Sequence, residues 1–97
     1  MSVITIFKDT IVKEMIPPGL SLPVQALWHD GAGNWDQAHA LIDQLGDRQS
    51  AHVHAYLHRK EGDIWNADYW YKRAGKTRPD ASLQQEWEEL VSYYLTK

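Results

Sequence analysis

The chain has 97 residues, no cysteine, five tryptophans, five tyrosines and a net charge of −3. Disulfides and thiolate chemistry are excluded. A pI near 5.9 argues against a nucleic-acid-binding domain, which normally carries a basic stripe.

In the N-terminal segment, 1–19, Ile4, Phe7, Ile11 and Met15 recur at helical spacing and predict a helix over 5–15. The β-branched run Val3-Ile4-Thr5-Ile6 would also suit a strand. Beyond Pro17-Pro18-Gly19, glycines at 31, 33, 46, 62 and 75 divide the chain into pieces of ordinary helix length. Helices are predicted over 22–30, 34–45, 50–61, 64–74 and 81–95. Asn34 with Gln37, Asp63 and Asp80 stand where N-caps are wanted. Gly46, Gly62 and Gly75 stand where a left-handed residue ends a helix. In the last helix Leu83, Trp87, Leu90, Val91 and Tyr94 line one side, with Gln85, Glu86, Glu88, Glu89 and Ser92 on much of the rest. The expected fold is all-α and a single compact domain over 1–97.

No apolar run approaches a membrane span, and the first residues lack a signal-peptide layout. The expectation is a cytoplasmic protein with no membrane or nucleic-acid partner and no cofactor.

The chain also repeats itself. Shifted by 29 residues, Ala26–Gly46 aligns with Ala55–Gly75, pairing Ala26 with Ala55, His29 with His58, Gly33 with Gly62, Ala38 with Ala67 and Gly46 with Gly75. These are residues a helical hairpin needs, small ones at contacts and glycine at turns. The reading is two tandem hairpins, 20–46 and 47–79, closed by a capping helix in 80–97. In the second unit, Ala55, Gly62, Asp63, Ala67, Tyr71, Ala74 and Pro79 resemble the tetratricopeptide repeat. The departures are His58 for the expected tyrosine, Ala51 and His54 for the first-helix Trp and Leu, and a period of 29 rather than 34. The resemblance implies stacked hairpins whose first helices line a concave face. The strings "ALWHDGAGNWDQAH" and "VHAYLHRKEGDIWNADYWYKRAG" also resemble a family of small, uncharacterised microbial proteins, which brings no activity with it.

Two sets of residues carry functional expectations. By the tetratricopeptide analogy, His52, Tyr56, Arg59 and Lys60 face outward from helix 50–61, and Trp65 with Tyr69 extends them into a ring-and-cation surface. Such a surface would take a protein or peptide partner, an acidic one suiting the cations. This makes a small, non-catalytic interaction module the leading reading. The alternative is a metal-dependent or acid–base enzyme, or a small-ligand binder, using His29, His54, His58 and Glu61 between the hairpins. His54, His58 and Glu61, spaced i, i+4, i+7, project from one helical face. The general-base glutamate of the H-E-x-x-H pattern is missing, which disfavours that hydrolytic route. The simpler expectation is that His29 and His58 hydrogen-bond a neighbouring hairpin and that zinc leaves the melting temperature unchanged. An aromatic-rich chain this small can also complete its core as a homodimer.

Overall fold

In the computed structural model, residues 2–95 are described and form six helices: α1 (Val3–Val12), α2 (Leu22–Gly31), α3 (Trp35–Ile42), α4 (Arg48–Glu61), α5 (Ile64–Arg73) and α6 (Leu83–Tyr94). No strand occurs among the described residues, so the β-branched run 3–6 is helical. Ser2 explains why. Its hydroxyl accepts the Thr5 N–H at 3.1 Å, starting the helix two residues before the predicted boundary. Glu14, at φ 56°, then stops it early and leaves Met15 outside the helix and exposed.

Asn34, Asp47, Asp63 and Ser82 accept from the amides of Gln37, Ser50, Asn66 and Gln85 respectively, each three residues on. Ser82 therefore does the work expected of Asp80, and α6 begins at Leu83. Gly62, at φ 87°, ends α4 in the left-handed region that only glycine enters freely. Gly46 is not among the left-handed residues, which corrects its expected role; α3 ends earlier, at Ile42.

The repeat is visible in the backbone. After α2, the Gly33 N–H bonds the Asp30 carbonyl at 3.0 Å, and the Asn34 N–H bonds His29 at 2.9 Å. After α4, Gly62 bonds Arg59 at 3.1 Å, and Asp63 bonds His58 at 2.9 Å. Ala26, Ala38, Ala55 and Ala67 are all fully buried, as close helix contact requires. The most extensive helix contacts are within the pairs α2–α3 and α4–α5, the tandem hairpins.

The main core gathers Phe7 of α1, Val24, Leu27 and Trp28 of α2, Ala38 and Ile42 of α3, Val53, Tyr56 and Leu57 of α4, and Trp87, Leu90, Val91 and Tyr94 of α6. A smaller cluster of Ala55, Ala67 and Tyr71, with Trp70 against it, joins α5 to α4. Indole N–H groups fasten the layers. Trp28 donates to the Thr10 hydroxyl at 3.1 Å, Trp35 to the Leu57 carbonyl at 2.8 Å and Trp87 to the Leu27 carbonyl at 2.9 Å. The radius of gyration is 12.4 Å. No helix among the described residues is long and apolar enough to cross a membrane.

Candidate metal centre

The expected outward face of α4 is largely turned inward. Tyr56 is only 2 % exposed, and its hydroxyl donates to Asp30 Oδ2 at 3.1 Å. Lys60 Nζ donates to Asp30 Oδ1 at 2.9 Å. Arg59 donates to Glu86 Oε1 at 2.8 Å and to the Ala81 carbonyl. Tyr71 donates to Glu86 Oε2 at 2.6 Å. His52 Nδ1 lies 2.7 Å from the Tyr94 hydroxyl. Asp30 and Glu86 are each 2 % exposed, and a carboxyl group buried this deeply needs partners. That need draws Tyr56 and Arg59 inward, correcting their placing on an open surface, while Lys60 pairs with Asp30 but stays exposed and His52 is part-buried against Tyr94. Burial pushes the Tyr56 and Tyr71 phenols well above their ordinary range, so both remain donors. Trp65 and Tyr69 are exposed, with ring centroids 6.3 Å apart, and Arg73 lies 5.8 Å from the Tyr69 centroid.

The imidazoles are arranged differently from either sequence expectation. His54 and His58 lie one turn apart on α4, with ring centroids 4.8 Å apart and planes 24° from parallel. The third member of their cluster is His39, from α3. Its ring stands edge-on to both, at 4.8 and 5.3 Å. His39 Nε2 and His54 Nε2 are 3.1 Å apart. One ring nitrogen from each of the three lies within 4.8 Å of the other two. Asp43, one turn after His39, places Oδ1 3.6 Å from His39 Nε2 and 4.0 Å from His54 Nε2.

His29, the repeat partner of His58, is outside this group and sits edge-on to Trp28 instead. Glu61 Oε1 accepts from His58 Nδ1 at 2.6 Å, beside the cluster. The expected set of His29, His54, His58 and Glu61 thus contributes two members, with Glu61 one step out and His39 in place of His29. Equivalence within the repeat pointed to His29. The local signal for His39 was its i, i+4 pairing with Asp43, but only packing of α3 on α4 shows that pair meeting His54.

Tryptophans fix the rings. Trp35 stacks on His39 at 4.9 Å and 8°, while its N–H grips α4 at Leu57. Trp70 stacks on His54 at 4.0 Å and 19°. His54 is 2 % exposed, and its Nδ1 has no hydrogen-bond partner. Burial, then the neighbouring His58 and His39, push its pKa down to about 4, against a weaker opposing pull from Asp43. His54 is therefore neutral at pH 7, the form a metal ion requires.

Comparison with family models, curated proteins and solved structures yields no match.

Proposed function

We propose that this chain is a small helical binding module whose principal ligand is a transition-metal ion of the zinc class, held by His39, His54 and His58 with Asp43 as the fourth donor. The carrying observation is the 3.1 Å approach of two imidazole nitrogens from different helices, with a third imidazole beside them. Two donors about 2 Å from a tetrahedral ion stand about 3.3 Å apart, so the pair is close to the required spacing. A set of three nitrogens and one oxygen suits zinc, copper or nickel rather than magnesium or calcium. His54 is the innermost donor and almost inaccessible, which favours a held ion over a substrate site.

Titration calorimetry of metal-stripped protein with Zn²⁺ tests this. One equivalent should bind, and free zinc at a hundred times Kd should stabilise the fold by about 2.7 kcal/mol. In a chain of this size that raises the melting temperature by about 10 °C or more. His39→Gln should abolish the rise; the side chain is 24 % exposed, and the far-UV circular dichroism of the variant checks that the fold is kept. No binding of Zn²⁺, Cu²⁺ or Ni²⁺ would remove the reading.

A second reading is favoured by Trp65, which is 77 % exposed and stacked beside Tyr69. With Lys72 and Arg73 on the same helix, this tetratricopeptide-like hairpin would offer rings and cations to an acidic peptide from a cytoplasmic partner. Anisotropy of a labelled polyglutamate peptide should show saturable binding that Trp65→Ala abolishes. Absence of binding would set this surface aside.

A further inference from the structure

A second site lies away from the imidazoles, where α1, α2, α4 and α6 meet around a cleft of about 410 Å³. That volume is in the range of small-molecule sites. Ile11, Val12 and Trp87 form an apolar wall, while Lys8, Lys60 and Gln84 bring polar groups to it. Asp30 and Tyr56 lie at its base.

The chemistry of this lining is one-sided. The Asp30 side chain is 1 % exposed, and its two oxygens accept from Lys60 and Tyr56. Its oxygens are turned inward out of a ligand's reach, and the Tyr56 proton is given to one of them. What remains accessible are two ammonium groups and the Gln84 amide. Lys60 and Lys8 have side chains 39 % and 44 % exposed, and each carries three N–H donors. Lys60 is engaged by Asp30 at 2.9 Å and Lys8 by Glu88 at 2.5 Å, one contact apiece. The Gln84 amide is turned to the same Glu88 oxygen, at 3.0 Å. Buried Asp30 holds the Lys60 ammonium at a set place beside the apolar wall, whereas Lys8 pairs at the surface with Glu88, itself 37 % exposed. One anchored and one adaptable cation, each with N–H donors to spare, call for a ligand rich in acceptors.

The wall is closely packed behind the cleft. Gly31 lies so close to α1 and α6 that a Cβ there would stand 2.7 Å from the Trp87 ring and 2.9 Å from Ile11. Trp87 is fastened from behind by its N–H bond to Leu27, so the ring is a fixed surface.

We propose that this cleft binds a small amphipathic anion, a carboxylate or phosphate on a short apolar body. The anionic head lies between Lys8 and Lys60, and the body lies on Ile11, Val12 and Trp87. A cation would meet two ammonium groups, and a purely apolar molecule would leave their donors unused.

The probes are octanoate and octyl phosphate, with octylammonium and inorganic phosphate as controls, followed by amide chemical shifts and tryptophan fluorescence on the full chain. Both octyl anions should bind saturably, with shifts centred on Ile11, Val12, Gly31 and Trp87; whichever binds tighter identifies the head. Octylammonium should not bind, and inorganic phosphate should bind far more weakly. Lys8→Gln should weaken octyl-anion binding by about tenfold, the scale of one charged hydrogen bond. Because Lys60→Met alone would strand a buried carboxylate, the paired variant Asp30→Asn with Lys60→Met serves as the second test and should bind as weakly. The proposal is overturned by no saturable binding, by octylammonium binding equally, or by both variants binding as the parent does. His39→Gln should bind octanoate normally, so this site stands or falls separately from the metal centre.

Discussion

His54 and His52 show how burial turns a common side chain into a pH-sensitive one. Burial, aided by Lys76, pushes His52 down to about 4, and His54 is lowered to a similar value. An unfolded chain protonates these imidazoles near 6.5. Between about 4 and 6.5 the unfolded state therefore holds more protons, and stability rises with pH. Their contribution should be fully present above about pH 6.5 and lost as pH falls toward 4. Urea midpoints across that range check this, and His52→Gln should flatten the slope. Beside the proposed metal site, Glu61 occupies His58 Nδ1 and leaves Nε2 as the ring's remaining nitrogen. Glu61→Gln should cost about 10- to 100-fold in zinc affinity, as loss of a carboxylate behind a liganding histidine does. A Kd unchanged by that substitution would show that Glu61 does not orient the ring. Arg59 contrasts with these. The sequence suggested an outward-facing cation, whereas its partner Glu86 is buried and bonded also to Tyr71. Arg59→Ala should destabilise the fold by about 3–5 kcal/mol, the cost of an uncompensated buried charge.

At the scale of helices, the caps and the close contacts make different demands. Ser82 caps α6, so Ser82→Ala should cost about 1 kcal/mol, while Asp80→Ala should cost little. Chemical denaturation of both variants distinguishes the observed cap from the one expected. Gly31 belongs to α2 and needs no unusual backbone; it is glycine because Trp87 of α6 and Ile11 of α1 occupy the space of a side chain. Gly31→Ala should destabilise by about 1–3 kcal/mol through overpacking, despite alanine's better helix propensity. Equal or greater stability would mean that the three helices separate more readily than their packing indicates. Helix α6 carries the same lesson. Its apolar stripe was readable from spacing, and Trp87, Leu90, Val91 and Tyr94 are buried. Glu86, assigned to the polar side, is buried as well, because it lies where Arg59 and Tyr71 can neutralise and bond it.

Across the whole molecule, helical hairpins were legible because what makes them is local. Apolar spacing, N-caps and left-handed glycines act within a few residues, and the two copies repeat the same turn at Gly33 and Gly62. The ring of Trp87 belongs to the interior, as its spacing implied. Half of the histidine site was legible for the same reason: His54 and His58 share one helix. His39 and Asp43 were not, since the repeat relates residues by equivalence and His39 reaches His54 by packing between α3 and α4.

The amino-acid order alone thus determined an all-helical chain, its approximate breaks, its duplicated hairpin and the apolar stripe of its last helix, because each rests on interactions spanning one or two turns. Tertiary structure decided which polar groups meet: His39 with His54 over 15 positions, Arg59 with Glu86 over 27, Lys60 with Asp30 over 30. Those pairings follow from where helices dock and from the energetic need of each buried charge for a partner. No local pattern specifies them, and they determine which cations stay exposed and which imidazoles converge on one another.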